Sequence, residues 1–169
     1  MVIKKNFYTK FYKIFENLLS GFCVLQIIAL AVVVSLAVFF RKFGSAFAWY
    51  DEVVSIQLAW LTYYGSAYCA LKRSHLGFNG FVDRFEDEIR KPLIILSEII
   101  ICSFFIIIAF AGYKILPILH EDRLVTLPKV TISFTQSVIP IGCILFVISE
   151  ILSIPSIWNK KSLKKKIQE

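Results

Sequence analysis

The stretch Leu18–Phe40, LLSGFCVLQIIALAVVVSLAVFF, contains no charged residue and decides the class of this protein. At roughly 1.5 Å per residue it would form a helix of about 34 Å, enough to cross a hydrocarbon core of about 30 Å with some tilt. Over the whole chain 57% of the residues are hydrophobic and 18% are charged. In a typical soluble domain, about 45–50% of the residues are hydrophobic and about 25% are charged. The sequence therefore predicts an integral membrane protein.

Three further apolar stretches follow, at about residues 53–71, 93–113 and 138–157. They predict an all-α membrane protein with four transmembrane helices in a single domain, residues 1–169. In a chain of 169 residues, four spans exclude a large catalytic or nucleotide-binding domain. Because proline lacks an amide donor, we expect Pro92 in the first turn of the third span. Pro140 and Pro155 are expected near the start and the end of the fourth span.

The basic residues orient the predicted spans. Fourteen Lys and Arg side chains lie in the N-terminal tail, the second connection and the C-terminal tail, and five lie in the other two connections. Positive charge accumulates on the cytoplasmic side of membrane proteins, so both termini are predicted to be cytoplasmic.

Two segments outside the spans have amphipathic patterns. Residues 1–17 are basic, and apolar side chains recur at helical spacing from Phe7 to Leu18, which predicts a helix at the membrane surface. Residues 78–89 repeat the apolar spacing with a mainly acidic opposite face, which favours a protein partner or a solvated helix. Residues 158–169 form a basic cytoplasmic tail.

The sequence lacks the motifs of an enzyme or a metal site. Cys23, Cys69, Cys102 and Cys143 fall one per span without a CxxC motif, so they are interpreted as buried packing residues. A thiol oxidoreductase is the remote alternative. The two histidines, His75 and His120, are predicted on opposite sides of the membrane. We therefore expect no catalytic residue, metal or cofactor in this chain, and a partner in membrane lipid rather than nucleic acid.

Two acids within predicted spans are functional candidates. Glu98 and Glu150 would lie roughly 8 and 10 Å below the same cytoplasmic surface. They could form a proton or ion site, or each could pair with a basic residue such as Lys72 or Arg73 or reach water. The sequence has no third acid in a span and no inverted repeat, so structural pairing is favoured.

The second span has a face of small and polar side chains that predicts protein packing, because in lipid their polar atoms would lack partners. Trp60 and Tyr64 lie on the opposite side. Spacing alone leaves open whether the stripe packs within this chain or against another protein. The stripe, spaced alternately by three and four residues, consists of Glu52, Ser55, Ala59, Thr62, Ser66, Cys69 and Arg73.

The block 48–81, AWYDEVVSIQLAWLTYYGSAYCALKRSHLGFNGF, has an aromatic residue and paired acids before the span, then Trp and Gly, then a basic residue and His. A Leu-Pro element and a Pro-x-Gly element follow downstream. The residues concerned are Trp49, Asp51, Glu52, Trp60, Gly65, Arg73, His75, Leu127–Pro128 and Pro140–Gly142. With its length and four predicted spans, the chain resembles the small membrane subunit of TRAP transporters, the DctQ family.

The resemblance implies a three-part, sodium-driven importer of organic acids in the bacterial inner membrane. A periplasmic binding protein would deliver the anion, and a large membrane subunit would hold the substrate and Na⁺ sites. The small subunit would bind the large one and extend its static scaffold. Glu52, Arg73 and the polar stripe, together with Trp60 and His75, are then candidates for fold-defining pairs or for contacts to the large subunit. Similarity to unfused small subunits suggests sialic acid as the substrate, and a C4-dicarboxylate or another carboxylate is the open alternative.

One alternative function comes from the residues alone. A self-sufficient, homo-oligomeric transporter or channel would use Glu98 and Glu150 in its pathway. It predicts that neutralising both acids abolishes flux, whereas the accessory role predicts that the isolated chain transports nothing. The external connection at residues 114–137, which carries several charges, is either the docking surface for a periplasmic partner or a solvated loop.

Overall fold

The computed structural model describes residues 2–44, 47–72 and 87–168, with side chains at position 8 and over residues 10–44, 47–72 and 92–154. The described part is helical, apart from short turns and one isolated bridge between Arg123 and Thr131. This confirms the all-α prediction. The elements are α1 (Val2–Lys42), α2 (Tyr50–Lys72), α3 (Asp87–Ile115), a 3-10 turn (Ile118–His120), α4 (Ile132–Gln136) and α5 (Val138–Gln168).

In the described part of the chain, three helical stretches are long and apolar enough to cross a membrane: Lys10–Lys42, Pro92–Ile115 and Ile132–Ile154. They contain most of the first, third and fourth predicted spans. The second predicted span forms α2, whose amide, hydroxyl and tyrosine side chains make it less apolar than these three stretches. A membrane crossing by α2 therefore stays a prediction.

Several helix boundaries differ from the predicted ones. The amphipathic segment 1–17 is not a separate helix, because no proline or turn sequence interrupts the pattern and α1 runs unbroken to Lys42. There the chain leaves the helix, and Gly44 adopts a left-handed φ of 80°, a conformation that glycine accepts without steric cost. The predicted surface position of residues 1–17 is not settled by this continuity.

The prolines do not mark the helix ends as expected. α3 begins at Asp87, so Pro92 lies inside the helix rather than in its first turn. α5 runs past Pro155 to Gln168, and the basic tail is therefore helical as far as this residue. Pro140 does lie in the first turn of α5, where its missing amide breaks no helical bond. The helix continues through the other two prolines despite the lost hydrogen bonds.

The long helices pack in the order α1–α2–α5–α3, and the extensive contacts in the described part are those between these neighbours. α2 and α5 run parallel, whereas α1 and α3 run antiparallel to them. The chain termini and Lys72 lie at one end, called here the tail end. The α1–α2 turn and residues 116–131 lie at the other, the loop end. Near the tail end a small core forms from Leu19, Ala67, Ala70, Leu71 and Phe146.

Candidate functional site

α2 carries most of the candidate residues, and its first turn holds the loop that precedes α4. The Glu52 Oε1 atom accepts hydrogen bonds from the Val125 N–H at 3.1 Å and the Thr126 N–H at 3.3 Å. Its Oε2 atom accepts from the same Thr126 N–H at 3.1 Å and from Thr126 Oγ1 at 2.5 Å. The Glu52 carboxylate thus accepts hydrogen bonds from two backbone amides and one hydroxyl of the loop. The donor residues, Val125 and Thr126, lie 73 and 74 positions further along the sequence.

The loop held by Glu52 is a compact, internally bonded turn. Backbone N–H groups of Leu124, Val130 and Ile132 donate to the carbonyls of Val130, Leu127 and Asp122, at 3.1, 2.9 and 3.0 Å respectively. Because these bonds fold the loop onto itself, the hydrogen bonds between Glu52 and Thr126 fix the position of the whole loop.

The hydrogen bond from the Thr126 hydroxyl is the main reason that the pKa of Glu52 lies below its ordinary value. The amides of Thr126, Val125 and Leu127 act in the same direction, and partial desolvation opposes them. Donors that bind the ionised form stabilise that form. Glu52 is therefore a charged anchor of the loop within this chain, and a contact of Glu52 to the large subunit stays a prediction.

Trp60 holds the next part of the same connection. Its indole Nε1–H donates to the Thr135 carbonyl at 3.1 Å, near the end of α4, where a helix leaves carbonyl groups without partners. The indole also packs against Phe22, Tyr64 and Phe134, with ring centroids 5.7–6.5 Å apart. Trp60 thus contacts other residues of this chain. Together, Glu52 and Trp60 bind α2 to two points of the connection that precedes α5.

Apart from Glu52, the stripe of small and polar residues is exposed on the described part of the chain over the first half of α2. Ser55, Ala59 and Thr62 are exposed, while Ser66 and Cys69 are half-buried. The hydroxyls of Thr62 and Ser66 donate to backbone carbonyls of their own helix, Leu58 at 2.8 Å and Tyr63 at 2.8 Å. Ser55, Ala59 and Thr62 therefore stay largely uncovered by the residues that the structure describes.

The face of α2 that does pack within the chain meets α5 at a glycine. A Cβ atom placed on Gly142 would lie 2.6 Å from the Tyr63 Cβ, so only glycine allows the two helices to approach this closely. Ala67 and Ala70 continue the contact and are fully buried. Gly65, by contrast, has open space where a Cβ would be. Packing against Tyr63 therefore requires the glycine of the Pro-x-Gly element, whereas no described contact requires a glycine at position 65.

At the tail end, the first turns of α1 cap the end of α2. The Tyr12 hydroxyl donates to the Leu71 carbonyl at 3.2 Å, one of the last four carbonyls of α2, which have no helical donor. Lys72 forms an ion pair with Glu16, and that hydrogen bond is the main reason that the pKa of Lys72 is raised. The Tyr8 hydroxyl donates to the Leu152 carbonyl of α5. The polar face of this segment thus serves packing within the chain.

Glu98 and Glu150 lie on α3 and α5 at similar depth. The helices are aligned by Phe105 and Phe146, whose rings stack with centroids 3.9 Å apart. From that contact, Glu98 is about 10 Å and Glu150 about 6 Å further toward the tail end. Glu150 is 3% exposed, and the Ser153 hydroxyl, 2.8 Å from the Glu150 carbonyl, lies 3.4 Å from its Oε2. Whether the two acids bind an ion or a proton stays a prediction.

The remaining candidates are placed as follows. The four cysteines are reduced thiols, with Cys23 and Cys143 buried and Cys69 and Cys102 half-buried. Within the described ranges, no group of three or more His, Cys, Asp and Glu side chains could hold a metal ion. Arg73, His75 and most of the predicted 78–89 helix lie outside the described residues, so their roles stay predictions.

Sequence reasoning missed the partners rather than the principal residues. Three partner residues were not singled out. Thr126 binds Glu52, Tyr12 binds the end of α2, and Glu16 pairs with Lys72. A threonine directly before a Leu-Pro element was a weak local signal. The pairing with Glu52 spans 74 residues, and no local pattern encodes such a distance.

The comparison with known protein families agrees with this architecture. The sequence model of the family described as "Tripartite ATP-independent periplasmic transporters, DctQ component" matches residues 30–159. No match was found among curated proteins. The matched segment includes all of α2, the loop held by Glu52 and the larger part of α5. The chain therefore belongs to the DctQ family of TRAP transporter components, and it is a small membrane subunit rather than a member of a known enzyme family.

Proposed function

We propose that this chain binds the large membrane subunit of a sodium-driven TRAP importer of organic acids and extends its static scaffold. The observation that carries the proposal is the exposed polar face of α2, because a helix that faces lipid would gain nothing from outward Ser55 and Thr62 side chains. Membership in a family of tripartite transporter components supplies the kind of partner. The transport chemistry and the Na⁺ sites would belong to the large subunit.

The proposed topology has four membrane spans, with α2 as the second, and both termini in the bacterial cytoplasm. The uneven distribution of lysine and arginine supports this orientation. Both ends of α2 support its crossing. Asp51 and Glu52 lie at one end and Lys72 at the other, and the sequence between them contains no charged residue. Its polar side chains would be covered by α5 on one face and by the large subunit on the other.

The loop pinned by Glu52 and Trp60 would then face the periplasm and contribute to the docking surface for the substrate-binding protein. The loop presents Val125, which is 88% exposed, on a backbone held by the Glu52 carboxylate. A preformed loop loses little conformational freedom when a partner binds. Sialic acid is the proposed substrate, from the resemblance to unfused small subunits.

The assembly role is tested by placing bulk on the exposed stripe. In Ala59→Leu, the added side chain should push a partner helix away and reduce recovery of the large subunit with the tagged chain by about tenfold, equivalent to about 1.4 kcal/mol. Mass spectrometry of the complex purified from native membranes in mild detergent measures the ratio of the two chains.

The matched control is Ala111→Leu, which adds the same bulk to another exposed alanine, on α3. It should leave recovery unchanged. Equal recovery for both variants would mean that the stripe is not the interface, and a tagged chain that purifies only with copies of itself would contradict the accessory role.

The second candidate function is a self-sufficient homo-oligomeric transporter or channel. The burial of Glu150 and its similar depth to Glu98 favour it. It requires that flux through the purified chain in liposomes is lost in the double variant Glu98→Gln/Glu150→Gln. We place it second because the exposed stripe and the family both favour a partner protein.

A further inference from the structure

The turn between α1 and α2 carries a cluster of aromatic side chains that no role described above uses. The cluster, called here the aromatic corner, consists of Phe39, Phe40, Phe43, Phe47 and Trp49. Ring centroids of its contacting pairs lie 4.7–6.0 Å apart, and the Phe39–Phe40 contact joins the rings into one connected surface. Phe43 is 70% and Phe39 is 57% exposed, although burial of such rings would be strongly favourable.

Two cations lie in the same turn of helix. Arg41 and Lys42 end α1, and both are exposed. The neighbouring Asp51 carboxylate raises the pKa of Tyr50 and Arg41 opposes this shift, so Arg41 lies close to the start of α2. Lys42 is thus the cation of the corner best placed to meet an anion from outside the chain.

The distance between the aromatic corner and the tail end can be compared with the thickness of a lipid bilayer. The Glu16–Lys72 ion pair is partly exposed, and a pair of charged side chains is costly within hydrocarbon, so it marks one edge of the membrane. From Glu16 to Phe40 along α1 is about 36 Å, and from Lys72 to Trp49 along α2 is about 35 Å. The hydrocarbon core is about 30 Å thick, and the interfacial layers extend beyond it.

We propose that the aromatic corner lies in the phospholipid interface of the opposite leaflet, with its rings between the upper acyl chains and Lys42 against the lipid phosphates. Aromatic rings concentrate at this level in membrane proteins, and a lysine directly beyond them reaches the headgroups. The corner continues the apolar, outward-facing surface of α1, on which Leu36 and Val38 are 50% and 64% exposed. The inference rests on the membrane crossing of α2 that the proposed function includes.

Tryptophan depth measurements test this placement in the full chain. Trp49 is the tryptophan of the corner, and Trp60 is about 16 Å further along α2. The variant Trp60→Phe/Trp158→Phe retains Trp49 alone, and the matched variant Trp49→Phe/Trp158→Phe retains Trp60 alone. Each is reconstituted, with and without the large subunit, in phosphatidylethanolamine–phosphatidylglycerol vesicles carrying bromine near the headgroup or deep in the acyl chains.

We expect shallow bromine to quench Trp49 more strongly than deep bromine, and the order to reverse for Trp60. Strong quenching of Trp49 by aqueous iodide with no effect of brominated lipid would overturn the proposal. So would loss of lipid quenching when the large subunit is present, because a protein would then cover the corner. Shallow quenching of both tryptophans would instead contradict the crossing of α2, which separates failure of the topology from failure of the corner.

A second measurement avoids the loss of the Trp60–Thr135 bond in the first variant. The unmodified chain in its complex is irradiated in vesicles that contain phosphatidylglycerol with a photoreactive headgroup, and the adducts are mapped by mass spectrometry. Adducts on residues 39–49 are expected, together with their reduction in Lys42→Gln. Adducts elsewhere on the loop end but none on these residues would contradict the placement.

Discussion

The Glu52 carboxylate illustrates how one side chain can determine the position of a distant loop. Three donors from Val125 and Thr126 converge on it, and ionisation strengthens each of these bonds. From the sequence, Glu52 could equally have contacted a partner. The structure uses its oxygens within the chain, so substitutions at Glu52 should affect the partner protein only through the loop.

The first prediction concerns this bond. In Glu52→Ala, the Val125 and Thr126 amides lose their acceptor, so we expect faster hydrogen exchange over residues 122–130. Asp51→Asn, which removes the neighbouring acid, is the control and should leave this exchange unchanged. Equal protection of the loop in Glu52→Ala and the wild-type chain would show that the carboxylate does not hold it.

The bond between Glu52 and Thr126 should also depend on pH. Because the pKa of Glu52 is lowered in the folded chain, its stabilising effect is fully present above the ordinary glutamate pKa of about 4.3. The effect is lost as the pH falls through the lowered value. Protection of the loop, measured relative to the intrinsic exchange rate at each pH, should therefore persist down to about pH 4 and fall below it, and Glu52→Gln should not show this dependence. Loss of protection already near neutral pH would contradict the assignment.

Two glycines of the helices offer a matched pair of substitutions. Gly142→Ala would force the Tyr63 side chain or the helix axes apart, and overpacking of this kind costs about 1–3 kcal/mol. Gly65→Ala meets no atom and should stabilise α2 by about 0.5–1 kcal/mol. Thermal unfolding in detergent should therefore shift down for the first variant and up for the second. A shift of the same sign in both would refute the close α2–α5 contact.

At the scale of elements, the part of α1 around Tyr12 and Glu16 caps the end of α2. Tyr12 supplies the hydrogen bond that the end of α2 lacks, and Glu16 pairs with the last lysine. The two faces of the amphipathic pattern at residues 7–18 therefore have different surroundings. Tyr8, Tyr12 and Glu16 contact the neighbouring helices, whereas apolar side chains such as Phe11 and Ile14 remain about half exposed.

Tyr12→Phe tests the cap with a minimal change. Loss of one hydroxyl leaves the Leu71 carbonyl without its donor, which should cost about 0.5–1.5 kcal/mol. We expect a lower unfolding temperature and faster exchange at the last turn of α2. Tyr113→Phe, at a tyrosine of α3 that is 69% exposed, is the control and should have neither effect.

At the scale of the whole molecule, the row α1–α2–α5–α3 leaves wide outer surfaces and little core. The stretch Pro92–Ile115 buries none of its most apolar window within the chain. Such an arrangement suits a protein that is completed by lipid and a partner. We therefore expect the purified chain in liposomes to show no substrate uptake and uptake to appear only with the large subunit. Uptake by the chain alone, lost in Glu98→Gln/Glu150→Gln, would establish the alternative function.

The sequence by itself determined the class of this protein and the residues that matter most. Hydrophobic runs without charge can be stable as helices only in lipid or against other helices, so three stretches were located to within a few residues, apart from the longer reach of α1. The residues of block 48–81 sufficed for the family, which the match over residues 30–159 confirmed. These properties are local, because composition and spacing along one helix encode them.

The tertiary structure alone decided which candidates act within the chain. Glu52 and Trp60 were on the same helix as Ser55 and Thr62, and spacing could not separate the loop anchors from the exposed stripe. Their partners, Thr126 and Thr135, lie more than 70 residues away, and the neighbours of α2 follow from how four helices share their surfaces. Pairing over such distances depends on the packing free energy of the whole molecule, to which each short segment contributes only a part.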